Sequence, residues 1–272
     1  MLPHFLVIGA QKSGTTSLYR CLGRHPGMVR ARHKELHFFD REHARGRGWY
    51  ERQLPSPLRV WARRLVGRRT LCGEATPEYL ALPDVPARAR ALLPDVRLVA
   101  LLRDPTRRAI SQYHHRVRYD GESRPIAELL DAELARAARK GESSLSPLGY
   151  LARGHYARQL ERWLAHYPRA QMLVLPAEPF YADPAPTVCR VADFVGLAPL
   201  DPRRYAASFR VRNAGRYARP PADLVARLDD HFAPHNERLL ALLGPGFDAS
   251  SWAGRRASAA ASSDGGERLV TV

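Results

Sequence analysis

Residues 4–9, HFLVIG, form a short apolar run that closes on a glycine, and Gly9 opens the loop Gly9-Ala10-Gln11-Lys12-Ser13-Gly14-Thr15-Thr16-Ser17. Leu18, Cys21 and Leu22 then recur at helical spacing. The order is strand, loop, helix, and the strand reads as a buried parallel one because its apolar residues do not alternate with polar ones. A glycine-rich turn between such a strand and a helix points backbone N–H groups outward, and the helix N-terminus adds partial positive charge. Thr15, Thr16 and Ser17 offer hydroxyl donors in the first turn. This start predicts a phosphate-binding loop.

The loop carries its lysine in an unusual place. Gly9 to Gly14 has the spacing of the Walker A pattern GxxxxGK[ST], but Thr15 stands where that pattern has lysine. The cation is Lys12, in the middle of the loop. A lysine after the last glycine reaches the outer phosphates of a nucleoside triphosphate, whereas one inside the loop lies beside the first phosphate and its bridging oxygen. Only three lysines (Lys12, Lys34, Lys140) stand against 40 arginines, so a compact ammonium here is a departure from the habit of the chain.

Further apolar strands are predicted at 97–102 and 171–175, with a weaker one at 70–75, and helices at 85–93, 105–118, 125–140, 147–166, 184–195 and 221–232. Asp104-Pro105 is a good helix start. Alternating strands and helices predict an α/β fold, a P-loop-like parallel sheet flanked by helices on both faces. One domain over 1–249 is expected, followed by an Ala/Ser/Gly-rich, disordered tail over 250–272.

A net charge of +16 and a pI near 10.5 first suggest nucleic acid, but the arginines are scattered through every segment instead of forming a stripe. A solvated surface and a small polyanionic ligand account for the excess. No apolar run reaches the length of about 20 residues that a spanning helix needs, and the N-terminus reads as the first strand instead of a signal peptide. Cys21, Cys72 and Cys189 are odd in number, far apart and without CxxC spacing, so neither a disulfide framework nor a zinc site is expected, and a cytoplasmic setting fits.

Two segments add chemistry. In Lys34-Glu35-Leu36-His37-Phe38-Phe39-Asp40 a carboxylate stands near two phenylalanines, so Glu35 is expected to be partly desolvated, with its pKa raised toward the range of a base. Arg103 at a strand end and Ser111 on the face of the next helix could clamp one phosphate between them, while Arg107 and Arg108 are expected in surface or helix–helix roles. Residues 209–217 form a basic, turn-rich stretch.

QKSGTTSL resembles the 5'-phosphosulfate loop of sulfotransferases that use 3'-phosphoadenosine 5'-phosphosulfate (PAPS), nearest the heparan sulfate N- and 3-O-sulfotransferase branch. RDPTRRAISQYHH is similar to the 3'-phosphate segment of that family, and KELHFFD to the segment that carries its general base. The resemblance covers roughly residues 4–245. It implies the sulfotransferase fold, Lys12 on the bridging oxygen, and Ser13, Gly14, Thr15, Thr16 and Ser17 around the 5'-phosphate. It further implies Arg103 and Ser111 on the 3'-phosphate, Gly215 and Arg216 in a loop that closes over the nucleotide, and Glu35 as base. His37 stays open as an alternative base, and Lys34 and His37 as acceptor contacts or as groups that tune Glu35.

The chain departs from that branch at Glu74-Ala75-Thr76-Pro77, where the heparan enzymes carry a lysine in place of Ala75. A small-molecule or glycan-like acceptor is therefore expected, with transfer to a hydroxyl or amine, no metal, no nucleic-acid partner and no membrane span. Monomer and homodimer stay open. The rival readings are a P-loop kinase using ATP and Mg²⁺ and a basic nucleic-acid-binding protein.

Overall fold

In the computed structural model of the chain, which describes residues 2–56, 58, 60, 61, 70–203, 216, 217, 220–253, 270 and 271, five strands pair in parallel. They are β1 (Phe5–Gly9), β2 (Met28–Arg30), β3 (Leu71–Ala75), β4 (Arg97–Leu102) and β5 (Met172–Pro176), in the order β2-β3-β1-β4-β5. Every residue of β1 and β3 is buried, as are residues 98–102 of β4. These strands show no alternation because helices cover both faces of such a sheet. Gly73 is small of necessity: a Cβ there would fall 2.1 Å from the ring of Phe5, its partner on β1.

The residues group into two compact units, Met1–Leu102 with Gln159–Arg212, and Arg103–Arg158 with Asn213–Val272. The first holds the sheet, with α1 (Thr15–Leu22), α2 (Gly46–Gln53), α3 (Val85–Leu92), α7 (Ala177–Ala182) and α8 (Pro184–Val195). Leu18, Cys21 and Leu22 of α1 are fully buried with Val188 and Val191 of α8 and with Phe5, Val7, Val99 and Leu101 of the sheet. Burying such side chains contributes about 1.5–3 kcal/mol each, so α1, and with it the loop that precedes it, is fixed to the core. Asp183 caps α8 by accepting from the Ala185 amide at 3.0 Å, ahead of Pro184 in the first turn.

The second unit contains α4 (Pro105–Tyr119), α5 (Ile126–Lys140), α9 (Ala222–Leu243) and the short helix α10 (Ser250–Ala253). The helix α6 (Tyr156–Leu164) carries the chain back into the first unit. Asp104 caps α4 by accepting from the Arg107 amide at 2.7 Å. Its own core joins Ile110, Leu130, Leu151, Leu224, Leu228 and Phe232. Among the described residues, no helix is long and apolar enough to cross a membrane.

Three departures from the sequence expectations have local causes. The helix expected at 147–166 is a 3₁₀ turn at Ala152–Gly154 followed by α6. The helix expected at 221–232 runs on to Leu243 through Pro234, with Phe232 and Leu239 buried on either side. A proline inside a helix costs about 3 kcal/mol, which burial of those two side chains offsets. The short β2, α2 and α7 were not expected, being too brief for a periodic signal. Residues 254–269 and 272 of the expected tail lie outside the described residues, while Ser250–Ala253 form α10, with Trp252 buried.

Candidate active site

The loop after β1 is built by backbone geometry. The Ala10 amide donates to Leu101 O on β4 at 2.8 Å, the Ser13 amide turns back to Ala10 O at 3.2 Å, and the Leu18 amide donates to Gly14 O at 3.0 Å. Gly14 sits at φ 85° and caps α1 with no side chain, and a Cβ there would come 2.9 Å from the ring of Tyr181. Glycine alone meets both conditions. No acidic residue occupies the first turn of α1, so its N-terminal amides keep their positive end for an anion. Ser13, Thr15 and Ser17 are buried, and Ser13 Oγ has no hydrogen-bond partner. Lys12, Gly14 and Thr16 are half-buried.

The segment 34–40 hangs from the same end of the sheet. The Glu35 amide donates to Ala75 O at 3.0 Å, and Ala75 pairs with Val7 of β1, two residues before the loop begins. Phe38 stacks on Tyr50 with ring centroids 4.3 Å apart, Phe39 meets Tyr50 and Tyr79 edge-on, and Arg88 donates to Phe39 O at 3.0 Å. The two phenylalanines therefore anchor the segment in the core and leave Glu35 at the surface, its side chain 43% exposed. Loop and segment share the carboxyl ends of adjacent strands, where ligands bind in open α/β sheets.

This placement corrects the expected raised pKa of Glu35. Burial does push it up, but the hydrogen bond from His37 and the charge of Lys34 outweigh that effect and bring it to about 2. Lys34 Nζ donates directly to Glu35 Oε1, and His37 Nε2 lies 3.8 Å from Glu35 Oε2. The imidazole of His37 is held by Asp40 Oδ2 at 2.8 Å, with Glu78 at 3.9 Å. Burial disfavours its charge, yet the bonds to Asp40 and Glu35 prevail and raise its pKa to about 9. At neutral pH His37 is an imidazolium and has no lone pair to act as a base. Sequence reading named Lys34 and His37 as groups that could tune Glu35 but expected the aromatic neighbours to raise its pKa, whereas the two cations folded back onto it lower it.

Lys12 (φ 70°), Glu35 (φ 64°) and His37 (φ 52°) are, among the described residues, the non-glycine residues with positive φ. Backbone of this kind costs on the order of 1–3 kcal/mol per residue and collects at functional sites.

Glu74 escaped the sequence reading. It is fully buried on β3 and accepts from the Tyr50 hydroxyl, from Tyr79 at 2.8 Å and from Thr76 at 2.9 Å. Burial raises its pKa against the pull of those three donors. The available signal was a lone carboxylate in the apolar run LCGEA.

In the second unit Arg103 and Ser111 are both buried, and the Tyr156 hydroxyl donates to Arg103 O at 2.9 Å. Arg107 is exposed. Arg108 is fully buried, donating to Gln112 Oε1 at 2.6 Å and to Tyr150 O. Burial, with Arg153 and Arg103 as like-charged neighbours, lowers its pKa to about 10. Arg103, Arg108 and Arg153 are thus three buried guanidiniums of this unit, with the buried carboxyl of Asp104 next to the first. Gly215 lies outside the described residues, and Arg216 belongs to a two-residue strand, β6 (Arg216–Tyr217), paired antiparallel with β7 (Val270–Thr271).

A family model described as the sulfotransferase domain matches residues 2–214. Heparan sulfate glucosamine 3-O-sulfotransferase 3B1 of Mus musculus is 37% identical over 198 residues, covering 72% of this chain and 46% of its own length. Heparan sulfate glucosamine 3-O-sulfotransferase 6 of Homo sapiens is 32% identical over 266 residues, covering 90% of this chain and 73% of that protein. The chain thus spans about half the length of the first of these relatives. The crystal structure of a sulfotransferase from Alicyclobacillus acidocaldarius superposes with a TM-score of 0.67 at 30% identity, over 93% of this chain and 99% of that one.

Proposed function

The chain belongs to the sulfotransferase domain family, and from that premise we propose that it transfers a sulfuryl group from PAPS to a hydroxyl or amine of a small-molecule or glycan-like acceptor. The observation that carries this reading is that Lys12 and Glu35, each at positive φ, belong to a loop and a segment fixed to the carboxyl ends of adjacent strands. The residues suit an anionic donor. Ser13 Oγ is buried with no partner, Gly14 leaves the α1 N-terminus open, and Arg103 is a buried cation.

When bound, PAPS supplies the activated sulfuryl group and a phosphate leaving group. Lys12 places a point charge where negative charge grows on that phosphate, and Ser13, Gly14, Thr15, Thr16 and Ser17 add amide and hydroxyl donors. Arg103 and Ser111 hold the 3'-phosphate, with Gly215 and Arg216 assigned to the same nucleotide. Glu35 takes the proton of the acceptor. With its pKa held near 2 by His37 and Lys34 it is ionised but weakly basic, and it gains basicity toward the acceptor proton when Lys34 turns away. His37, protonated and fixed by Asp40, orients Glu35 instead of competing with it.

The two relatives named above are heparan sulfate enzymes. Ala75 stands where the resemblance has a lysine, which favours a less anionic acceptor here. Free cysteines, two of them buried, suit a reducing cytoplasm. The test is calorimetric titration with adenosine 3',5'-bisphosphate (PAP) and with ATP plus Mg²⁺, on wild type and Arg103→Ala. PAP binding that weakens in the variant is the expected result. Preference for ATP would move the chain to the kinase reading and withdraw the roles of Lys12 and Glu35.

A further inference from the structure

Four metal-ligating side chains converge in the second unit, and the sulfuryl chemistry uses none of them. His231 and His235 stand four apart on α9 and so present their rings on one face of that helix. His155 follows the 3₁₀ turn Ala152–Gly154, and Glu142 opens the 3₁₀ turn after α5. His155 Nε2 faces His231 Nε2 at 3.0 Å, His235 Nε2 lies 2.8 Å from Glu142 Oε1, and His155 Nδ1 lies 3.9 Å from Glu142 Oε2. One donor atom from each of the four can be chosen so that all lie within 4.8 Å of one another.

We propose that His155, His231, His235 and Glu142 form a binding site for a divalent transition metal of the zinc class. Three imidazole nitrogens and one carboxylate oxygen are a set such an ion takes in tetrahedral geometry, with bonds of about 2.0–2.2 Å. Those bonds place neighbouring donors about 3.4 Å apart, and one donor atom from each of the four residues already lies within 4.8 Å of the other three. The rings of His155 and His235 stack at 3.8 Å, so ligation needs a turn of one ring about its Cβ–Cγ bond. Two imidazole nitrogens meeting head-on can share only one proton between them, whereas an ion satisfies both lone pairs. His155 is buried and Phe232 packs against it, while Glu142 is 44% exposed and gives an ion a way in.

Burial is the main cause that lowers the pKa of all three rings, His155 to about 2, and so favours their neutral form. Neutral imidazole is the form that ligates. The consequence is structural: an ion would tie the turns at Glu142 and His155 to α9 and so cross-link distant parts of the unit, with binding energy added to its folding energy.

The experiment uses the full chain, stripped with a chelator and titrated with Co²⁺ and then Zn²⁺. Expected are one equivalent of Co²⁺ with the visible absorption of a tetrahedral ion, its displacement by Zn²⁺, and a higher Tm with metal. Glu142→Gln, at an exposed position, and His235→Ala should each weaken Co²⁺ binding by at least about 10-fold, with far-UV circular dichroism unchanged. His37→Gln, which alters the other metal-like cluster of His37, Asp40 and Glu78, should leave the cobalt spectrum as it was. Absence of saturable Co²⁺ uptake, or uptake undiminished in Glu142→Gln and His235→Ala, would overturn the proposal.

Discussion

Replacing His37 by glutamine tests the electrostatics on which the role of Glu35 rests. The imidazole is pulled between burial, which disfavours its charge, and Asp40 with Glu35, which favour it and win, taking the pKa from 6.5 to about 9. Its side chain is 16% exposed, so solvent screens the interaction little. A displacement of that size corresponds to about 3 kcal/mol. Because the folded protein binds this proton more tightly than the unfolded chain, the contribution is complete below about pH 6.5. It drains away as pH rises toward 9 and is gone above it. Wild type and His37→Gln should therefore differ in Tm by on the order of 6 °C more near pH 6 than near pH 10. Groups remote from the site titrate alike in both proteins and cancel in the difference, while Glu35 and Asp40, with lowered pKa values, titrate in acid. The second readout is the proton resonance of the His37 ring, with a midpoint near 9. A Tm gap constant across this range, together with a ring titrating near 6.5, would refute the reasoning and return His37 to candidacy as the base.

Lys12→Ala should lower the turnover of PAPS by about 10²–10³-fold, the usual effect of removing one preorganised donor; near-normal turnover in a steady-state assay would exclude Lys12 from the transition state. Glu35→Gln should abolish transfer while calorimetric PAP binding stays close to wild type, and loss of both together would argue against a base. Gly14→Val should cost on the order of 2 kcal/mol or more in thermal unfolding, because it forces a β-branched residue to φ 85° against Tyr181. Glu74→Ala leaves the hydroxyls of Tyr50, Tyr79 and Thr76 without their common acceptor. Unfolding should become easier by roughly 3 kcal/mol, since a stranded buried donor costs about 1–3 kcal/mol, and an unchanged Tm would show that the hydroxyls find other partners.

What contiguous residues can determine, this sequence determines. The strand, loop and helix of residues 5–22, the displaced Lys12, the Asp104 cap and the apolar, buried stretch 98–102 of β4 are legible because each depends on neighbours a few positions away and on one period. The resemblance in QKSGTTSL and RDPTRRAISQYHH adds the family for the same reason, since its signature is local. Tertiary structure alone decides how charges meet across the chain. Tyr50 reaches Glu74 over 24 positions, Arg108 reaches Tyr150 over 42, and His155 meets His231 over 76. Even within KELHFFD, where every residue is adjacent, the pKa of Glu35 was misjudged. Which way each side chain points there depends on positive φ at Glu35 and His37 and on the pocket that Tyr50 and Tyr79 offer to Phe38 and Phe39. A one-dimensional pattern records which groups are present; the direction and dielectric that set their chemistry come only from folded neighbours.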